Sequence, residues 1–308
     1  MNKQILFVSL ILFSGAFASA DAVKCVTAYS DSATAQFSNV ASILNSKRDP
    51  FEVARAKRPA SKKEAKEIMK DVENHLLTEE VETIEFLGGG VTESFKVTFK
   101  SGLKAVYKPV NPDRANQPIR EVVAYRISQL FDLFIAPPTV MRELKGNIPS
   151  ELRGRMGSVQ LFVTEARVLQ KGKDSGRNKV LLFEGKEFDP DSSQSGRRLR
   201  IFDWLINNHD RGSNAGNYLV SLNDTHVIGI DHSVSFVGFD KVAREDKVPY
   251  YKKDFLTDRE MYTKLTAVTE ADIRDALKGL NPVRVDEFLI RYKALIKDFE
   301  KVLNKENE

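Results

Sequence analysis

The sequence of 308 residues has a single cysteine, Cys25, so the chain cannot form a disulfide bond within itself and must be stabilised by packing. Its four histidines show no zinc-site spacing, and no Gly-x-Ser-x-Gly motif marks a hydrolase nucleophile. The formal net charge is only +4, so no nucleic-acid partner is expected. What the sequence does have is 42% hydrophobic and 29% charged residues, as is typical of globular proteins.

Long apolar runs are also missing, so the sequence predicts no stable membrane anchor. The short apolar run Ile5–Leu12 follows Lys3 and precedes Ala18-Ser19-Ala20, which is the pattern of an export signal with its cleavage site. We therefore expect residues 1–20 to be removed after Ala20. The mature protein is predicted to be exported, either to the periplasm or out of the cell.

The segment 21–60 is rich in Ser, Ala, Asn and basic residues and shows no long hydrophobic period, which predicts a loosely ordered lead-in. Ser61 with Glu64 three residues later is typical of a helix start, and apolar residues follow at helical spacing. The sequence therefore predicts a folded domain over residues 61–308.

Strand patterns dominate the first part of this domain. They occur as TIEFL, SFKVTFK and LKAVYKP between Val81 and Pro109, and again in the run 158–169. A helix beginning at Pro118 lies between them. A second helix is predicted at about 197–207, followed by a hairpin that ends at Asp231.

The remainder of the chain has helical patterns, and no internal repeat is visible. We therefore predict an α+β fold of two lobes, with a small sheet-rich N-lobe at about 61–160 and a larger helical C-lobe at about 161–308. A ligand is expected in the cleft between the lobes.

Three features of the predicted N-lobe fit the binding of a nucleotide's phosphates. The glycines Gly88, Gly89 and Gly90 lie between two strands, where backbone N–H groups can approach a phosphate without a Cβ in the way. Lys108 lies at the end of the strand AVYK, and Glu121 on the next helix can pair with it and hold its ammonium group towards the phosphates. A plain turn and a solvated lysine are the alternative interpretation of the first two features.

The polar residues of the predicted C-lobe follow the helix at 197–207. Asp210 comes directly after it, Asn217 begins the next strand, and Asp231 ends the hairpin partner. A loop and one tight hairpin separate the two aspartates, so both carboxylates can reach the same end of the sheet. Their repulsion would be relieved by a divalent cation. Alternatively, Asp210 pairs with Arg211 and the other two residues cap a turn and a strand end.

The runs AVYKP, FDLFIAPPTV, FDWLINNHDR, GNYLV and GIDHSVSF make residues 81–236 similar to the atypical kinases of the Golgi casein-kinase and four-jointed type. More distant relatives of that family are the phosphatidylinositol 3-/4-kinases and the HipA-type kinases. The resemblance implies a two-lobed kinase-like fold with ATP and Mg²⁺ or Mn²⁺ as cofactors, and the connection 158–169 as the support of the adenine.

The resemblance also assigns roles to individual residues. It implies Asp210 as the catalytic aspartate, Asn217 and Asp231 as metal ligands, Lys108 as a phosphate ligand and Glu121 as its partner. Two departures from the lipid-kinase pattern are that Gly212 follows Arg211 and that Asn217 lies seven residues beyond Asp210, rather than five. We prefer Asn217 as the ligand because it immediately precedes the strand, and Asn214 is the alternative.

The function predicted on this basis is that of an exported ATP-dependent phosphotransferase acting on a hydroxyl group of a protein or glycan. Lipid headgroups and small molecules stay open as acceptors, because a fold does not identify a substrate. The alternatives are an exported pseudokinase-like protein that binds nucleotide without turnover, and a nucleotidyl transferase.

Overall fold

The computed structural model describes residues 38–88, 92–114, 117–172, 180–211, 214–237 and 251–305. The chain divides into two units, residues 1–38 and 39–308, and only Ser38 of the first unit is described. The predicted export signal, Cys25, Gly89 and Gly90 therefore lie outside the described residues.

Along the described ranges, three α-helices precede the first strand and three follow the last. The α-helices are α1 (Ser38–Asn45), α2 (Pro50–Lys57), α3 (Lys62–Thr78), α4 (Gln117–Leu130), α5 (Gln194–Leu205), α6 (Arg259–Thr266), α7 (Glu270–Ala276) and α8 (Pro282–Lys305). The strands are β1 (Val81–Phe86), β2 (Phe95–Phe99), β3 (Lys104–Pro109), β4 (Thr139–Glu143), β5 (Met156–Leu161), β6 (Ala166–Val168), β7 (Gln170–Lys171), β8 (Leu181–Phe183), β9 (Lys186–Glu187), β10 (Tyr218–Ser221) and β11 (Val227–Gly229). None of these helices is long and apolar enough to cross a bilayer.

The strands form three antiparallel sheets. Five strands make the largest sheet, in the order β1-β2-β3-β5-β4, and two small sheets follow with the orders β11-β10-β6 and β7-β8-β9. The run 158–169 was predicted as one strand, but it is divided between β5 of the first sheet and β6 of the second. Residues 162–165 are therefore the connection between the two sheets.

Two hydrophobic clusters form the core. One is built around the five-stranded sheet and α1–α3, and the other around α5, α8 and the β10–β11 hairpin. Helix α4 contributes residues to both clusters, because Tyr125 belongs to the sheet cluster while Val123 and Ile127 belong to the helical one. Any residue on α4 is therefore placed at the junction between the two clusters.

The predicted loose lead-in is wrong for residues 38–60. Helices α1 and α2 lie there, and Val40, Phe51 and Ala54 are completely buried in the sheet cluster. Each of these helices has only eight residues. That is too short for an apolar period to stand out against a basic and polar composition. The folded region thus begins before Ser61, whose capping of α3 by its side chain is confirmed.

Asp49 ties the start of α2 to the connection between the sheets. Its buried side chain accepts hydrogen bonds from the backbone N–H of Phe51 at 2.9 Å and from the backbone N–H and hydroxyl of Thr164 at 2.6 and 2.9 Å. Burial raises the pKa of Asp49, although these hydrogen bonds oppose the rise. The carboxylate thus caps α2 and also fixes Thr164 in the connection between the two sheets; we call this second contact the clamp.

Asp49→Ala should remove this cap and leave the N–H of Thr164 without its acceptor. We expect the free energy of unfolding, measured by urea denaturation, to fall by about 2–4 kcal/mol. Asp113→Ala is the matched control, because Asp113 is exposed on a short 3₁₀ turn, and its effect should stay below about 0.5 kcal/mol. Equal effects of the two changes would contradict the clamp.

His226 is a histidine that the fold keeps neutral. Its Nε2 lies 2.8 Å from the carbonyl oxygen of Phe134, so this nitrogen carries the proton and donates it. Burial, with a contribution from the Arg55 charge, lowers the pKa of His226 to about 4. Since the ordinary value is 6.5, the unfolded chain takes up a proton below that pH and the folded chain does not until near 4. This contribution to stability is complete above pH 6.5 and is lost as the pH falls.

His226→Gln should make the protein less sensitive to acid, because glutamine can still donate to the Phe134 carbonyl but does not titrate. Between about pH 7.5 and about pH 5, we expect the unchanged protein to lose about 1–2 kcal/mol more stability than the variant. Denaturation curves at the two pH values give both numbers. Parallel losses in the two proteins would show that His226 is not the titrating group.

Candidate active site

A largely buried lysine lies between two carboxylates at the junction of the two clusters. The Nζ of Lys108 is 2.6 Å from Oε1 of Glu121 and 2.8 Å from Oδ1 of Asp231. The lysine and glutamate side chains are 13% and 2% exposed, whereas the Asp231 side chain is 37% exposed. Three of the residues selected from the sequence therefore meet in one place, with Asp231 on the solvent side.

Each of the three comes from a different element. Lys108 lies near the end of β3, opposite Ser158 of β5, and Glu121 lies in the first half of α4. Asp231 follows β11 with a φ of +55°, in the left-handed region that aspartate tolerates better than most residues. The backbone N–H of His232 donates to Oε2 of Glu121 at 2.8 Å. Glu121 thus fixes both the lysine and the backbone that carries Asp231.

The charges of this cluster stabilise each other. Burial alone would lower the pKa of Lys108, but the Glu121 and Asp231 carboxylates outweigh it and raise the pKa above its ordinary value. Burial acts in the opposite direction on Glu121, yet the lysine and the hydrogen bonding from His232 hold the pKa of Glu121 well below its usual range. The lysine therefore stays cationic and the glutamate anionic, so the pair acts by electrostatics rather than by proton transfer.

The second group of predicted residues, Asp210 and Asn217, also meets. The amide Nδ2 of Asn217 donates to Oδ2 of Asp210 at 2.8 Å, and the Asn217 side chain is buried. The side chain of Asn214 accepts instead from the N–H of Gly216 at 3.1 Å and caps a 3₁₀ turn. The geometry places Asn217, rather than Asn214, beside Asp210.

The two groups are joined through the hairpin. The backbone N–H of Ile230 donates to the carbonyl of Asn217 at 3.0 Å, and Asp231 is the next residue. Asn217, which holds Asp210, is therefore paired across the hairpin with the neighbour of Asp231. The sequence prediction that both aspartates reach the same end of this sheet agrees with this register.

Arg211 organises this region, and the sequence interpretation missed it. Its guanidinium is fully buried, with Nε donating to Oδ2 of Asp203 at 2.7 Å and Nη1 donating to the carbonyls of Asn217 and Ile230, the latter at 2.8 Å. The suggested pairing of Asp210 with Arg211 is not what the structure shows. A Cβ at Gly229 would lie 2.9 Å from Nη2 of Arg211, so only glycine leaves room for it there.

Arg211→Lys should keep the positive charge but lose the forked hydrogen bonds that join α5 to the two ends of the β10–β11 hairpin. We expect the free energy of unfolding to fall by about 3–5 kcal/mol, because Oδ2 of the buried Asp203 and the carbonyls of Asn217 and Ile230 each lose a charged donor. Arg274→Lys provides the control, since that arginine is 49% exposed in an ion pair with Glu270 and should change stability by less than about 0.5 kcal/mol. Urea denaturation of both variants makes the comparison, and a small effect of Arg211→Lys would contradict the bridging role.

Two further residues near Asp231 were not selected from the sequence. The hydroxyl of Ser233 donates to Oδ1 of Asp231 at 2.9 Å, and His232 is completely buried. Burial lowers the pKa of His232, so its ring is neutral beside Glu121. Both lie in the run IDHSVSF, whose polar residues among apolar ones were the available indication.

The donor set fits a divalent cation held jointly by protein and phosphates. Because Asn217 donates to Asp210 through its nitrogen, its amide oxygen is left as a ligand atom, and Oδ2 of Asp231 is not used by Lys108 or Ser233. Mg²⁺ sites of this kind use one or two carboxylates together with substrate phosphates and water. Within the described ranges, no three His, Cys, Asp or Glu side chains form a metal site by themselves.

The predicted glycine loop is only partly described. Gly88 has a φ of +64°, the conformation in which glycine is favoured, while Gly89 and Gly90 lie outside the described residues. A groove of about 1010 Å³ between α3, α4, β4 and α7 contains none of the candidate-site residues. The site is therefore defined by its charged side chains and not by the volume of that groove.

Comparison with known proteins gives distant structural likenesses. No protein-family model matches the sequence, and no curated protein does. The chain is similar to the solved structure of the Golgi casein kinase (TM-score 0.44, 14% identity, 78% of this chain and 76% of that one) and to hydra Fam20, solved with sugar (0.47, 15%, 78% and 91%). It is also similar to the Helicobacter pylori proinflammatory kinase CtkA (0.41, 14%, 75% and 96%). Likenesses this weak do not assign the chain to a family.

The architecture itself agrees with the predicted fold class. A five-stranded antiparallel sheet with its own core is joined by α4 and the connection 162–165 to a helical part with a second core. The charged residues lie where the two parts meet. The described residues thus have an α+β architecture of two parts, each with its own hydrophobic core.

Proposed function

We propose that the protein is an ATP-dependent phosphotransferase that transfers a phosphoryl group to an alcohol. The observation that carries this proposal is the buried contact of Lys108 with Glu121 and Asp231, at 2.6 and 2.8 Å. A permanently cationic lysine, oriented by a buried glutamate beside a half-exposed aspartate, is the arrangement needed to hold the phosphates of a nucleotide.

Asp210 is suited to act on the acceptor. The Asn217 amide donates to its Oδ2 and so orients the carboxylate, which is proposed to orient an acceptor hydroxyl or to accept its proton. General-base assistance of this kind contributes about 10²–10⁴ in rate. Lys108 stabilises negative charge on the transferring group, and this electrostatic contribution is expected to be the larger one.

The proposed ligands of a divalent cation are the Asp231 carboxylate and the Asn217 amide oxygen. When bound there, Mg²⁺ or Mn²⁺ would neutralise charge on the phosphates. The carboxylate of Asp231 is half exposed and its second oxygen is not used by Lys108, so it can serve a cation without breaking the Lys108–Glu121 pair. Gly88, with the two glycines that follow it, is proposed to cover the phosphates, and the run 158–169 to support the adenine.

The proposed acceptor is a hydroxyl group of a protein or glycan, and the proposed place of action is outside the cytoplasm. The predicted export signal at residues 1–20 supports that place. Because ATP is scarce there, turnover requires delivery to an ATP-containing place, such as another cell.

Labelled ATP with Mg²⁺ or Mn²⁺ tests the proposal, with ADP release and label transfer to protein and glycan acceptors as the measurements. We expect turnover by the unchanged protein and a loss of about 10²–10⁴ in Asp210→Asn. Asp231→Ala should abolish turnover, because it removes the carboxylate ligand of the cation while leaving the Lys108–Glu121 pair. Asp224→Asn, a half-exposed aspartate on the far turn of the same hairpin, should keep full activity.

The same experiment separates the alternatives. Thermal stabilisation by ATP without turnover of any acceptor would favour a nucleotide-binding protein over an enzyme. An acceptor whose mass increases by a nucleotidyl group would indicate nucleotidyl transfer. Unchanged turnover in Asp231→Ala would show that the proposed metal site is wrong.

A further inference from the structure

A cavity lined by two arginines lies next to the candidate site and is not used by the proposed reaction. It has a volume of about 570 Å³ and is lined by residues of α4, α8 and the segment after Asp231, among them Arg120, Arg284, Phe236 and Val283. This volume is within the roughly 300–1,000 Å³ of typical ligand pockets and is larger than one small ion requires. The cavity therefore has room for a charged group together with part of a larger molecule.

Two arginines face this cavity without enough negative charge to balance them. Within the described residues, no carboxylate lies within 4.0 Å of the Arg120 guanidinium, whose hydrogen bond goes to the carbonyl of Ser233 at 3.2 Å. Arg284 donates only Nη1 to the carboxylate of Glu287, at 2.8 and 2.9 Å. At least one of the two guanidinium charges on the wall of this cavity is therefore not balanced by a carboxylate.

The two arginines also repel each other. Burial and the neighbouring Arg284 charge lower the pKa of Arg120, and no acidic neighbour counteracts them. The first turns of α4 and α8, which carry these arginines, contain no acidic residue. Bringing two like charges together is unfavourable unless an anion binds between them, and guanidinium groups bind phosphate and carboxylate through paired hydrogen bonds.

An apolar surface adjoins the arginines. Val283 and Ile290 of α8 are 59% and 57% exposed, and their spacing of seven residues places them on one face of the helix. Free phosphate cannot bury such a surface, whereas the apolar side chains of a peptide can pack against it. A bilayer with anionic lipids would instead meet the 64% exposed carboxylate of Asp286 in the same helical turn.

We propose that this cavity is an oxyanion-binding site that takes the phosphate or carboxylate group of a polypeptide bound beside the candidate active site. Its position supports this, because Arg120 contacts Ser233, which in turn contacts Asp231. That the polypeptide is the acceptor rests on the proposed phosphotransferase function. The binding site itself does not.

Binding without ATP tests the proposal. Two probes are used, inorganic phosphate at constant ionic strength and a heptapeptide with one phosphoserine among Ala and Leu residues. Calorimetry should show the phosphopeptide binding about tenfold or more tightly than phosphate. Arg120→Gln and Arg284→Gln should each weaken both probes by about tenfold or more, because each removes a charge-assisted bond.

Arg126→Gln is the matched control, because it removes the same charge from α4 but its side chain lines the separate groove of about 1010 Å³. It should bind both probes like the unchanged protein. Arg120→Gln should fold about as stably as the unchanged protein in phosphate-free buffer, since relief of the repulsion from Arg284 offsets the loss of the hydrogen bond to Ser233. Unfolding curves check this before binding is compared.

The possible results separate the sources of the anion. If Arg120→Gln and Arg284→Gln bind both probes as tightly as the unchanged protein does, the proposed oxyanion-binding site is wrong. If phosphate binding depends on the arginines but the peptide binds no more tightly, the proposal that the ligand is a polypeptide is wrong. If the protein sediments with anionic lipid vesicles in an arginine-dependent way and does not bind the peptide, the ligand is a membrane instead. Asp210→Asn should bind the phosphopeptide normally, so a failure of the phosphotransferase proposal is distinguishable from a failure of this one.

Discussion

The structure depends on one buried charge interaction, that of Lys108 with Glu121. A lysine and a glutamate that are each removed from water are unfavourable alone, and only their close contact offsets the loss of hydration. Burying them therefore requires β3 and α4 to be held in one fixed relation. Asp231 approaches the same ammonium group from the hairpin of the helical part, so the charge pair also determines where the second part must place its carboxylate.

Arg211 is a second buried cation, and it fixes the elements on the Asp210 side of the site. Its guanidinium joins α5, through Asp203, to the carbonyls of Asn217 and Ile230, which flank the β10–β11 hairpin, and the Asn217 amide donates to Asp210. The two buried cations differ in their surroundings. Lys108 lies beside a carboxylate that is partly open to solvent and can exchange partners, whereas Arg211 is enclosed by groups that stay in place. The first is suited to bind ligands, and the second to fix the loop that presents Asp210.

The sequence predicted the elements of the site because strand and hairpin patterns are local. Alternation placed Lys108 at a strand end, and the tight hairpin brought Asn217 and Asp231 together. It did not predict the burial of Arg211, because burial of an arginine depends on partners from three elements. Nor did it predict α1 and α2, whose short apolar sets are explained only by the sheet they cover, or the break in 158–169, which is set by pairing with two different sheets.

Consecutive residues of α4 link the candidate site to the arginine-lined cavity. Side chains at neighbouring helix positions point about 100° apart, so Glu121 faces Lys108 while Arg120 faces the cavity beside α8. Both also bind the chain after Asp231, since Glu121 accepts from the N–H of His232 and Arg120 donates to the carbonyl of Ser233. An oxyanion bound to Arg120 would therefore act on the backbone that positions Asp231, and a ligand that moved Asp231 would act on Arg120 in return. A coupling between the cavity and the candidate site would therefore run through this shared segment.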